Sequence, residues 1–125
     1  MMDLYEKDIF PVPKEREDYH LPVGAGLTGR EYLPMVEDTL SEALDAVRPD
    51  LVVYNAGSDP FIDDPLAYFR LTKGELAERD LLVVTRVRER AIPVAMVLSG
   101  GYAVDSWLVH TDAIEDILVR FDRDS

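Results

Sequence analysis

The sequence predicts an α/β fold with a mainly parallel sheet covered on both faces. Three observations lead there. Leu51-Val52-Val53-Tyr54-Asn55 and Ile92-Pro93-Val94-Ala95-Met96-Val97-Leu98 are short, continuous apolar runs without polar alternation, the pattern of buried parallel strands. A helix-period segment separates them, so strand, helix and strand follow in order and a right-handed crossover is expected. The third is size: 125 residues support one small domain with a real core.

Taking the elements in order, Met1–Tyr5 is short and mostly apolar, and the two prolines of Ile9-Phe10-Pro11-Val12-Pro13 make that stretch extended or looped. Lys14–His20 reads as a charged loop. Leu21-Pro22-Val23 is at most a short edge strand, because Pro22 has no N–H for a ladder. Thr28 and Glu31 form a capping-box signature ahead of Tyr32, Met35, Val36, Leu40, Ala43, Leu44 and Val47 at helical spacing. This predicts a helix from about Gly29 to Arg48, stopped by Pro49 and carrying Pro34 as a defect. Phe61–Leu71 reads as a loop. Thr72 and Glu75 repeat the capping signature, and Leu76, Leu81 (or Asp80), Val83, Val84 and Val87 predict a helix to about Arg90. A last helix is expected from about Val104 to Phe121, with Trp107, Leu108, Ile114, Ile117, Leu118 and Phe121 as its apolar side.

Composition narrows the function classes. With 25 acidic and 13 basic residues the formal charge is −12, which argues against direct nucleic-acid binding and suits cationic partners. Cysteine is absent, so disulfides, Cys-ligated zinc and thiol catalysis are excluded. No leader-like segment and no apolar run near 18 residues stands in the sequence, so a cytoplasmic protein without membrane contact is expected.

In open α/β sheets, ligands bind beyond the carboxyl ends of the strands. Asn55-Ala56-Gly57-Ser58-Asp59 and Ser99-Gly100-Gly101-Tyr102 occupy those ends. A carboxylate is a hard oxygen donor for a divalent metal, a tyrosine hydroxyl can donate to a developing oxyanion, and paired glycines admit a close substrate. Read alone, Asp59 serves equally as a turn cap, Gly100-Gly101 as a tight turn and Tyr102 as a packing residue. Gly24-Ala25-Gly26-Leu27-Thr28-Gly29 spells G-x-G-x-x-G before a helix, but a dinucleotide site needs a buried strand before it and an acid about 20 residues on, and neither is in place. His20 reads as solvent-facing, His110 as a surface or packing residue, and Asp63-Asp64 as a solvated loop.

Together these segments resemble the C-terminal half of a zinc-dependent histone deacetylase, closest to the class IV type. The residues that carry the resemblance are Met2–Tyr5 with Ile9-Phe10-Pro11, Leu21–Gly29 with Glu31-Tyr32-Leu33, Val52–Asp59, and Ser99-Gly100-Gly101-Tyr102; other classes more often have Gly in place of Ser99. The resemblance implies a three-layer, arginase/deacetylase-like α/β fold, with residues 1–125 forming part of one domain. It implies Asp59 as a zinc ligand, and Tyr102 beside Gly101 as the catalytic residues of a hydrolase acting on acetyl-lysine peptides or, alternatively, acetylpolyamines. It also implies further groups. The family's other zinc ligands lie in an Asp-x-His segment and its general base in a His-His pair, and this sequence contains neither. An N-terminal half or self-association is therefore expected to complete the site, the alternative being a non-catalytic interaction module.

Overall fold

The computed structural model describes residues 1–9 and 17–122. Seven elements follow in order: β1 (Met2–Glu6), β2 (Tyr19–Val23), α1 (Gly29–Val47), β3 (Val52–Asn55), α2 (Lys73–Arg88), β4 (Val94–Val97) and α3 (Ser106–Phe121). The strands pair in two parallel two-stranded sheets among the described residues, β1 with β2 and β3 with β4. Val52 lies opposite Val94 and Tyr54 opposite Met96.

Local chemistry sets the helix limits. At α2 the Thr72 hydroxyl accepts from the Glu75 N–H (3.2 Å), and the Glu75 carboxylate accepts from the Thr72 N–H (2.8 Å), a complete capping box. At α1 Glu31 accepts from both the N–H and the hydroxyl of Thr28. Arg48 closes α1 in the left-handed region (φ 48°), its N–H reaching the Leu44 carbonyl (2.9 Å), and Pro49 forbids continuation. The helix carries Pro34 without interruption.

The core is built from Tyr32, Val36, Leu40 and Leu44 of α1, Leu76, Val83 and Val87 of α2, Val109 of α3, and Phe61, Phe69 and Leu71 of the intervening segment. α2 packs against both α1 and α3, so its buried arc is wide. Arg86 pairs with Glu37, and Arg90 with Asp45 at 2.7 Å, tying α2 and its C-terminal end to α1.

Three expectations need correction. Tyr19 and His20 lie in β2 rather than a loop, because β1 supplies a partner through the Tyr19 and His20 register positions. Lys14, like Phe10–Pro13, falls outside the described residues. The β3–β4 sheet is covered on one face: Val52, Tyr54, Val94 and Met96 turn inward, while Val53 is 65% exposed and Val97 is exposed with it. Uniformly apolar strands therefore mark a sheet that has a second apolar face but no layer over it among the described residues. On α3 the buried positions are Val109 and Ala113, whereas Trp107, Ile114 and Leu118 are exposed. Small side chains there let α3 sit close to α2. Phe61–Leu71 is a loop as expected, and its ends are closed by Ile62 N–H to the Leu71 carbonyl (2.8 Å) and Leu71 N–H to the Pro60 carbonyl (3.1 Å).

The G-x-G-x-x-G stretch has structural work. Gly26 adopts φ +82°, and its N–H donates to the Tyr68 carbonyl (2.8 Å), while Leu27 accepts from Arg70 (2.9 Å). The strand before it, β2, is only partly buried, and the Gly26 amide a phosphate would need is already engaged.

Candidate active site

The β3–β4 ladder continues past the strand ends. Ala56 N–H donates to the Val97 carbonyl and Ser58 N–H to the Gly100 carbonyl, both at 2.8 Å. The two loops named from the sequence therefore run side by side. A methyl group built on Gly100 would lie 3.1 Å from Asp59 Oδ1 and 3.8 Å from Tyr102 Cε2. The carboxylate and the phenol ring thus flank one glycine and are separated by no more than those two distances combined.

Glycine is required here by space. A Cβ on Gly57 would stand 2.6 Å from Asp59 Oδ1, and one on Gly101 would stand 1.9 Å from Ser58 Oγ. Gly101 also adopts φ +150°, a conformation that side chains oppose. Ser99 takes φ 48°, which explains physically why glycine suits that position.

Two buried charges hold these loops. Arg79 is 4% exposed. Its Nη1 donates to the Gly57 carbonyl (2.8 Å), its Nη2 to the Ala56 carbonyl (3.3 Å) and its Nε to Asp80 Oδ1 (2.8 Å). Asp80 is fully buried and also accepts from the Tyr54 hydroxyl. The Arg79 guanidinium lies 5.9 Å from the Tyr54 ring centroid. Burial pushes the Tyr54 phenol well above its ordinary pKa, and Tyr32 upward too, so both stay neutral. On the other loop, Asp64 accepts from the Leu66 N–H and the Tyr102 N–H, each at 2.8 Å. Asp64 is 6% exposed, so the expectation of a solvated Asp63-Asp64 loop fails for Asp64: its two oxygens are needed by backbone amides.

Sequence reading missed Arg79, Asp80 and Asp64. The signal for Asp80 was its phase, since positions 76, 80, 83, 84 and 87 share one helical face, and an acid there must be paired. For Asp64 the sequence offered only a turn signal, the Asp64-Pro65 step, which accounts for its bond to Leu66 and not for the one to Tyr102. His110 is half-buried on α3, and burial lowers its pKa. His20 is half-buried, its Nδ1 3.0 Å from the Glu17 carbonyl. No group of three or more His, Cys, Asp or Glu able to hold a metal ion is present among the described residues. Catalytic zinc takes about three protein ligands, so Asp59 fits as one donor and these residues do not hold zinc by themselves.

The histone deacetylase domain family matches residues 2–116. The chain belongs to this family. Histone deacetylase 2 of Arabidopsis thaliana is 34% identical over 120 residues, covering 94% of this chain and 31% of that protein. An uncharacterized protein of a Picosynechococcus species is 38% identical over 94 residues, covering 75% of this chain and 31% of its own length. The fold matches the crystal structure of acetylpolyamine aminohydrolase from Burkholderia pseudomallei, with TM-score 0.75, 21% identity, and coverage of 92% of this chain and 36% of that one. It also matches an HDAC homologue complexed with SAHA, at TM-score 0.61 and 23% identity over 95% of this chain and 33% of that one. The deacetylase-like α/β fold expected from the sequence is therefore present as a partial domain. The chain spans about a third of the length of these relatives. No helix among the described residues is long and apolar enough to cross a membrane.

Proposed function

We propose that this chain supplies the carboxylate-and-tyrosine part of a deacetylase active site, acting on acetyl-lysine peptides or acetylpolyamines. The remaining zinc ligands and the general base would come from polypeptide outside residues 1–125. The reading rests on one observation above all: Asp59 and Tyr102 meet across Gly100 at the carboxyl ends of two parallel strands. Membership of the deacetylase family and the formal charge of −12 support an acetylated, cationic substrate.

In this reading the zinc implied by the family polarises the acetyl carbonyl and activates water when bound. Asp59 contributes one anionic oxygen to it. The exposed Tyr102 hydroxyl donates to the oxyanion as water adds to the carbonyl. The proton that water loses would pass through the general base outside this chain to the amide nitrogen, so that the C–N bond breaks and acetate and a free amine leave. Gly101 brings the backbone in close and lets Tyr102 turn into the cleft.

The test pairs the chain with the remaining two-thirds of a relative's domain, carrying the His-His and Asp-x-His segments, and measures acetate release from an acetyl-lysine peptide and an acetylated polyamine. Tyr102→Phe should lower the turnover number by about 10²–10³, the usual effect of losing one oxyanion donor, with zinc content unchanged. An unaltered turnover removes Tyr102 from the mechanism.

A second reading is favoured by the exposed outer face of the β3–β4 sheet. Val53 and Val97 stand on it, and a groove of about 610 Å³, lined by Met2, Leu4, Tyr32, Val52, Tyr54 and Val83 among others, opens between the two sheets. Unpaired strand edges invite another chain. In this reading the chain is a non-catalytic interaction module that docks through the face, and activity stays absent under every complementation.

A further inference from the structure

We infer that Asp64 is a positioning residue for Tyr102, an inference that rests on the oxyanion role proposed above. Asp64 stands on the closed Phe61–Leu71 segment, whose ends are fixed by the buried Phe61 and Leu71 side chains. Its own N–H donates to the Phe61 carbonyl (2.9 Å). Oδ1 takes the local Leu66 amide, and Oδ2 reaches 38 residues along the chain to the Tyr102 amide.

That amide is where Tyr102 is fixed. The Tyr102 side chain is 60% exposed, so packing does little to aim it. The residues before it are Gly100, whose carbonyl accepts from the Ser58 N–H, and Gly101 at φ +150°, and neither carries a side chain that could fix the direction of Tyr102. A carboxylate accepting from a backbone N–H makes a short, charge-assisted bond. Placed just after the two glycines, it sets the direction from which the phenol enters the cleft beside Asp59. Both oxygens are committed, so asparagine, with a single acceptor oxygen, can satisfy only one of the two amides.

The experiment uses hydrogen exchange on the full 125-residue chain and steady-state kinetics on the complemented pair. In the unaltered chain the Tyr102 amide should be protected. In Asp64→Asn its exchange should rise about tenfold relative to that of Val109 in the core, as expected for losing a hydrogen bond to a charged group. Turnover number should fall while KM and zinc content hold, and Asp64→Ala should repeat the pattern. A purely structural Asp64 would instead accelerate Tyr102 and Val109 together. If the variants unfold, protection of Tyr102 in the unaltered chain still decides: an unprotected amide overturns the inference. An unchanged Tyr102-to-Val109 ratio, or an unchanged turnover number in Asp64→Asn while Tyr102→Phe is inactive, also overturns it. Full activity of Tyr102→Phe would instead break the oxyanion reading and leave Asp64 to be judged by exchange alone.

Discussion

The loops after β3 and β4 lie side by side and are held by opposite means. The Asn55–Asp59 loop is held by a buried cation, Arg79, which donates to two of its carbonyls. The Ser99–Tyr102 loop is held by a buried anion, Asp64, which accepts from its final amide. The first anchor comes from a rigid helix and belongs to a paired cluster with Asp80 and Tyr54. The second comes from a short closed segment and adds one bond at Tyr102 to the Ser58-to-Gly100 contact that joins the two loops. The difference teaches that the carboxylate loop is tied directly into the core, whereas the tyrosine loop is tied to its neighbour at Gly100 and held at its far end by Asp64.

The comparison is broken most strongly at Arg79. Arg79→Met leaves Asp80 buried without its cation, and removing one partner of a buried pair costs about 3–5 kcal/mol. Urea unfolding should show a loss of that order, with the amides of residues 56–59 losing protection before those of 99–102. A loss under about 1 kcal/mol would mean that the cluster is not what anchors the first loop. On the second loop, Gly101→Ala forces a side chain into the space of Ser58 Oγ and into an unfavourable φ. Its cost is expected at about 1–3 kcal/mol, and the change should perturb both loops through Ser58; a neutral variant would show that the loops are free to move apart.

The smallest expected effect sharpens the contrast by pH. Burial lowers the His110 pKa, with Asp80 and Arg79 as its charged neighbours. A histidine whose folded value is depressed stabilises the fold above its ordinary pKa, and that contribution is lost as pH falls toward the depressed value. Unfolding free energy should therefore decline on acidification just below the ordinary histidine range, and His110→Gln should flatten that decline. An equally steep decline in the variant would assign it to carboxylates instead.

The pattern of legibility follows from the physics. That Asp59 and Tyr102 stand on adjoining strand ends could be read because both apolar strands stop at glycine-containing segments. Both capped helices were legible for similar reasons: Thr28, Glu31, Thr72 and Glu75 form local bonds that sequence spacing dictates. What could not be read was tertiary. Asp64 meets Tyr102 across 38 positions; its Asp-Pro step marks the local turn to Leu66 but not that distant contact. Arg79 carries a charge that a hydrophobic pattern assigns to solvent, yet two carbonyls and Asp80 satisfy it inside. The strands were expected to be covered twice because Val53 and Val97 are apolar; the structure leaves both exposed.

The central claim is that Asp59 is one donor of a zinc site that this chain does not complete. Zinc titration of the chain, with and without the complementary two-thirds of a deacetylase domain, tests it directly. The account predicts no stoichiometric zinc on the chain alone, one equivalent on the complemented pair, and loss of that equivalent in Asp59→Asn. Stoichiometric zinc on the isolated chain, or a full equivalent retained by Asp59→Asn in the pair, would contradict it.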